Sequence, residues 1–348
     1  MNFIRESIFA SALRAFSSAF LGILGALLSF GVFLTFLSVA VFTAKDIPPF
    51  QHIFLNQPRP DGTLSQKMHD PALLRVNIGM IGTQSCNSEL LDSLVLQIDQ
   101  QFLPGQLKGI LIYLNTPGGS AVDSYNMYMT FKQLKERYKI PVYGFVDGLC
   151  ASGGIFISSA CDKIFSTPPS ILGSVGVRMG PFFNFNTFLK NNGVDALNLS
   201  TKNKIHLDYF TPWTPDEQDF YKPLLNSLYQ QFVDSVVDGR TPDGMTKKQY
   251  KDKLLEIGAN MYISSEAVQY GFTNVPDATL GSALTALAEA AGLHDMQYRF
   301  VLAQYVPPFQ LGGVQSILKS GKIVHEHKLF NDGTTEIKND QILALYPL

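Results

Sequence analysis

The chain has 348 residues, 46% of them hydrophobic and 16% charged, with a formal net charge of −2. A charged fraction below the roughly 25% usual for soluble domains, with no basic excess, argues against a nucleic-acid partner held by bulk electrostatics. The three cysteines, Cys86, Cys150 and Cys161, form no Cys-x-x-Cys pair, which argues against a disulfide framework or a zinc knuckle.

Residues 15–44 carry no Asp, Glu, Lys or Arg. That run exceeds the roughly 20 residues that cross a bilayer and the about 7–15 of a secretion-signal core, so it predicts a transmembrane helix. Arg5 and Arg14 precede it, while Lys45 behind it is offset by Asp46. The positive-inside rule therefore places residues 1–14 in the cytoplasm and the bulk of the chain on the other side of the membrane. Residues 45–72, with Pro48, Pro49, Pro58, Pro60 and Pro71, read as a linker or extended arm.

From residue 73 onwards strands and helices alternate. "LLRVNIGMI" (73–81) reads as a strand, and Leu91, Leu94, Val95 and Ile98 then recur at helical spacing. "GILIYL" (109–114) is a continuous apolar run of the kind buried on both faces of a parallel sheet. Ala121, Tyr125, Tyr128, Phe131, Leu134 and Tyr138 step by three or four along an amphipathic helix. "PVYGFV" (141–146) and "KIFST" (163–167) are further strands, and Ser152 opens a short helical stretch between them. The alternation predicts right-handed crossovers and a parallel α/β core.

Two strand-to-helix junctions are rich in glycine: Gly118-Gly119 and Ser152-Gly153-Gly154. Such junctions present backbone N–H groups at a helix start, where negative charge is stabilised. In open α/β sheets, sites lie at the carboxyl ends of neighbouring strands. Ser152 itself reads in two ways, as a nucleophile or as a helix N-cap. A serine nucleophile needs a base. No histidine lies between His69 and His206, so the candidates are His206 and the two lysines of "NLSTKNKIHLDYFTP", Lys202 and Lys204. A lysine base must be neutral, which burial favours, whereas two lysines in a polar loop are more commonly solvated.

Four blocks in order, "NTPGGSAVDS" (115–124), "CASGGIFISSACDKIFSTPPSILGSVGV" (150–177), "TKNKIHLDYFTP" (201–212) and "GANMYISSEAVQYGFTN" (258–274), resemble the signal peptide peptidase A family of membrane-anchored serine proteases. The resemblance spans roughly 73–293 and implies an α/β fold of the Clp protease/crotonase type, a ββα superhelix behind an N-terminal transmembrane helix. It implies Ser152 as nucleophile and Lys202 as general base, with Lys204 as the alternative. Gly118 and Gly119 match the glycines of the oxyanion hole, and Gly153 adds a further amide. It also implies a homo-oligomer with the site near or across protomer boundaries, signal-peptide remnants and other released or misfolded polypeptides as substrates, and no metal or organic cofactor. The location it implies is the bacterial inner membrane, crossed once, with the protease domain outside the cytoplasm.

The sequence departs from the family pattern in three places. Thr116 stands where serine is usual, Cys150 where alanine is common, and Asn203-Lys204 follow Lys202 where a serine and a small residue are expected. Two rival functions are a crotonase-like acyl-transfer enzyme, which leaves Ser152 and the anchor unexplained, and an inactive membrane-anchored scaffold of the same fold.

Beyond the dyad region, Tyr221, Leu224, Leu228, Phe232 and Val236 mark a core or interface helix, and 280–292 reads as a helix stopped by Gly292. Residues 294–348 form an extension without an assigned role. Within it, "KIVHEHKLF" and "TTEI" around Asn331-Asp332-Gly333 suggest a hairpin, on which His325 and His327 read as solvated surface rather than metal ligands.

Overall fold

The structure is a computed structural model and describes residues 16–22, 25, 28–35, 51–65, 67–199, 201, 208–293 and 297–306. The chain divides into two units, one of residues 1–51 with 307–348, the other His52–Val306.

In the first unit the described residues of the apolar run are helical. Among the described residues no helix is long and apolar enough to cross a membrane. The rest of the 15–44 segment, and the 322–337 hairpin, lie outside the described residues.

In the second unit the strands are β1 (Gln51–Gln57), β2 (Ala72–Ile78), β3 (Leu107–Thr116), β4 (Val142–Ala151), β5 (Lys163–Ser166), β6 (Ile171–Gly173), β7 (Met261–Ile263) and β8 (Arg299–Val306). The helices are α1 (Ser88–Gln101), α2 (Ala121–Tyr138), α3 (Gly153–Ser158), α4 (Asn186–Asn191), α5 (Pro215–Arg240), α6 (Lys247–Ile257), α7 (Ser264–Ala267) and α8 (Leu280–Ala290). The strands form one sheet in the order β1-β8-β2-β3-β4-β6-β7, with β5 also on β4. Its centre is parallel, with Leu74 opposite Ile110 and Ile110 opposite Val142, as the alternation predicts. The short β6–β7 pair is antiparallel.

The sheet is covered on both faces, which is why β3 is apolar throughout. Val76, Ile112 and Val146 face Leu91 of α1, Phe131 of α2 and Ile155 of α3. Leu73, Leu111 and Phe145 face Leu284 and Leu287 of α8. Each such buried side chain stabilises the fold by about 1.5–3 kcal/mol relative to exposure. The helix starts are capped as their sequences suggest: the Asn87 side chain accepts from Leu90 N–H and Ser120 from Asp123 N–H.

Three segments differ from the sequence expectations. On α2, Tyr128, Phe131 and Leu134 are buried, but Ala121 and Tyr125 at its start are exposed. On α5, Phe232 and Val236 enter the core, whereas Leu224 and Leu228 are 48% and 40% exposed; the helix holds the fold with its second half only. The segment read as a linker contributes β1, and the extension contributes β8, which pairs with β2 from Ala72–Arg299 to Val76–Ala303.

Arg240, at the end of α5, is 7% exposed. Its guanidinium donates to the Gly271 carbonyl (3.0 Å), the Cys161 carbonyl (3.3 Å) and Asn274 Oδ1 (2.5 Å). It thus ties α5 to the chain before β5 and to the loop after α7. Arg240→Met is expected to leave these acceptors buried without donors, at about 1–3 kcal/mol each where no water replaces the donor. Urea denaturation should show a loss of at least about 2 kcal/mol.

Candidate active site

The carboxyl ends of β3 and β4 lie side by side, with Thr116 opposite Cys150. Each strand runs through a glycine pair into a helix, α2 after Gly118-Gly119 and α3 from Gly153-Gly154. The two junctions singled out in the sequence are therefore neighbours.

Ser152 occupies the N-cap position of α3, yet its side chain makes no capping hydrogen bond. The backbone explains this. Its φ of 52° and ψ of −114° lie in a region L-residues avoid, at a cost of order 1–3 kcal/mol. Its N–H is held by the Gly173 carbonyl at 2.9 Å. No hydrogen bond engages the hydroxyl among the described residues. The residue is half-buried. The helix-cap reading is thereby overturned.

Gly118 has φ 91°, and a Cβ there would stand 2.8 Å from Ser152 Cβ and 2.9 Å from Gly153 N, so this close approach requires glycine. Gly119 has φ 149°, and a Cβ there would lie 1.9 Å from the Ile81 carbonyl oxygen. The three glycine amides of the sequence reading are not equivalent. Gly118 N–H donates to Thr116 Oγ1 at 3.0 Å. Gly119 and Gly153 N–H have no acceptor among the described residues. The threonine in place of the usual serine keeps the hydroxyl that holds Gly118, and Thr116 is fully buried.

Cys150, two residues before Ser152, is fully buried. Burial drives its thiol pKa upward, and that of Cys161 to about 12, so both remain protonated and inert. Among the described residues, Ser152 keeps an unengaged hydroxyl at this corner of the fold. Desolvation lowers His52 to about 4, so it is neutral, and no hydrogen bond joins it to Ser152. Lys202, Lys204 and His206 lie outside the described residues. The chain just beyond them is anchored: Phe185 N–H donates to the Tyr209 carbonyl (2.7 Å), and the side-chain amides of Asn184 and Asn186 donate to the Thr211 (2.8 Å) and Phe210 (3.0 Å) carbonyls.

Sequence reasoning missed Ile81 and Gly173. The strand expected over 73–81 ends at Ile78, and Ile81 instead forms an isolated bridge with Gly119. The signal for it was Gly79 and Gly82, which flank "MI" and break the strand pattern.

A serine hydroxyl and two backbone amides without partners among the described residues, at adjoining strand ends, are an arrangement suited to acyl transfer, with the amides available to a developing oxyanion. Comparison with known proteins points the same way. Residues 134–274 match the family model of Peptidase family S49, and residues 72–171 match that of Clp protease. The matched region thus resembles S49 and Clp peptidases on a mixed α/β fold, and the resemblance to the signal peptide peptidase A family is borne out.

Among relatives, the chain is 30% identical over 169 residues to a putative signal peptide peptidase SppA of Enterococcus faecium, covering 48% of this chain and 47% of that protein. It is 32% identical over 150 residues to a putative protease of Synechocystis, covering 43% and 53%. It is also 32% identical over 144 residues to a protein of Brucella melitensis named as a Na(+)/H(+) antiporter NhaA, covering 41% of this chain but 19% of that protein. The chain spans about half the length, or less, of these relatives.

Proposed function

We propose that the chain is a membrane-anchored serine endopeptidase working through a Ser152/Lys202 dyad and an acyl-enzyme. The observation that carries this reading is the unbonded Ser152 hydroxyl beside the free amides of Gly119 and Gly153. Ser152 Oγ attacks the peptide carbonyl while the neutral lysine amine takes its proton. The oxyanion forms between the Gly119 and Gly153 amides, whose placement depends on Gly118. Collapse of the intermediate breaks the C–N bond, and the lysine returns the proton to the leaving amine. Water then attacks the Ser152 ester with the same lysine as base, releasing the acid and restoring the serine.

The substrates of this reading are extended polypeptides released at the membrane, signal-peptide remnants and misfolded chains among them. Residues 15–44 are its anchor in a bacterial inner membrane, with the protease domain on the extracytoplasmic side. Phe16, Phe20, Leu21, Phe30 and Phe33 support it, since each is 56–71% exposed. So do Ser29 and Thr35, whose hydroxyls return to the carbonyls of Gly25 (2.9 Å) and Val32 (2.8 Å), as polar groups in an apolar medium require. Assembly into a homo-oligomer is supported by exposed apolar side chains between 182 and 210, with Phe188 66% and Leu197 and Leu199 each 84% exposed.

The test is hydrolysis of a fluorogenic signal-peptide-derived substrate by the full-length chain beside Lys202→Ala and Lys204→Ala. The expected result is activity that rises with pH, is lost by at least about 10³-fold in Lys202→Ala and is kept in Lys204→Ala. Loss in Lys204→Ala alone would move the base to that residue. Full activity in both variants would sink the lysine dyad.

A further inference from the structure

The two free amides come from different elements, Gly119 after β3 and Gly153 at the start of α3. An oxyanion is stabilised only if both point at one position from hydrogen-bond distance. Their separation must therefore be held, and Ile81, outside both junctions, lies against each of them beside Ser124.

Ile81 N–H donates to the Gly118 carbonyl (3.0 Å), and its own carbonyl accepts from Ser120 N–H (3.2 Å), which makes a parallel bridge centred on Gly119. Its side chain runs to the other junction, where Cδ1 lies 3.0 Å from the point a Gly153 Cβ would occupy. Ile81 is 3% exposed. It is delivered by a loop that is itself braced, with Gly82 N–H on the Cys86 carbonyl (2.8 Å) and Asn87 Nδ2 on the Thr83 carbonyl (2.8 Å). The end of that loop is fastened to α2, because Asp123 Oδ1 accepts from Ser88 N–H (2.9 Å) and Oγ (2.8 Å).

We propose that Ile81 is a positioning residue for the oxyanion hole, setting the distance between the Gly119 and Gly153 amides with its backbone on one and its δ-methyl against the other. It touches no reacting atom. The assignment rests on the peptidase reading above.

The experiment compares the full-length wild type with Ile81→Val, which keeps the bridge and removes the δ-methyl. Ile110→Val removes the same group from the β3 core. Ile81→Leu keeps δ-carbons at that position. Ile81→Val is expected to lower kcat about ten-fold with KM unchanged, a fraction of the 10²–10³ lost with a whole donor. Affinity for a peptide aldehyde, which forms a tetrahedral adduct on a serine, falls by the same factor. Ile81→Leu recovers most of the loss, and Ile110→Val changes neither quantity per folded molecule. In spectra of ¹⁵N-glycine-labelled protein, the Gly153 amide moves in Ile81→Val and not in Ile110→Val. Unchanged kcat and aldehyde affinity in folded Ile81→Val, or a loss matched by Ile110→Val, overturns the assignment. A wild type that neither hydrolyses peptide nor binds the aldehyde overturns the peptidase reading instead. The glycine resonances then decide the role of Ile81 alone: movement of Gly153 supports it, and a stationary Gly153 overturns it.

Discussion

Ser152→Ala is expected to abolish peptide hydrolysis, with kcat down by at least about 10⁴-fold, because removal of a covalent nucleophile leaves only binding and oxyanion stabilisation to accelerate attack by water. The fold should survive. The Ser152 side chain makes no cap bond, so its loss removes no hydrogen bond from α3, and the strained φ of 52° is imposed by the backbone bond to Gly173 rather than by the hydroxyl. The measurement is steady-state hydrolysis beside a thermal melt, with labelling by a serine-reactive phosphonate as a second readout. An unlabelled but folded variant is the expected outcome. Hydrolysis that persists in Ser152→Ala would require another nucleophile, and Cys150 is no substitute, since full burial keeps its thiol protonated.

The second large effect is expected at Gly119. A methyl group there would lie 1.9 Å from the Ile81 carbonyl oxygen, against backbone rather than a side chain that could rotate away. The residue also holds φ 149°, which alanine adopts only under strain. Gly119→Ala must therefore displace the β3–α2 junction or the Ile81 loop, and either movement carries the Gly119 amide off the oxyanion position. Loss of one such donor lowers kcat by about 10²–10³-fold. The expected pattern is that loss in kcat, a parallel loss of affinity for tetrahedral-adduct inhibitors, and a smaller change in KM. A Gly119→Ala protein with wild-type kcat would exclude this amide from the oxyanion hole.

The central fold was legible because it is written in local pattern. Continuous apolar runs such as 109–114 mark strands buried on both faces, and three-four spacing marks the helices between them, so alternation alone implied a parallel sheet. The two glycine junctions were legible for the same reason: glycine at a strand end preceding a helix is a local signal. Pairings between distant segments were not. Nothing local in "RFVLAQYV" says that it will lie beside residues 72–76, because a strand partner more than two hundred residues away is chosen by the sheet edge it meets. For α5 the sequence left core and interface both open, since an apolar stripe does not say whether this chain or another surface covers it; Phe232 and Val236 are buried, Leu224 and Leu228 exposed.

By itself the sequence determined a parallel α/β peptidase-like core, an apolar N-terminal run and the pair of glycine junctions, all of which follow from residue type and short-range spacing. Only the tertiary structure decided how those junctions are arranged. Serine before a helix is chemically compatible with a cap and with a nucleophile; in the structure the Gly173 carbonyl holds Ser152 N–H and the side chain makes no capping bond. Three glycines offer three amides, and Thr116 engages one of them by accepting from Gly118. Ile81 acquires its bridge to Gly119 and its contact with Gly153 from a loop that local pattern extends as strand. The Ser152–Gly173 and Ile81–Gly119 contacts join residues distant in sequence, and such contacts exist only once the sheet has brought its strand ends together.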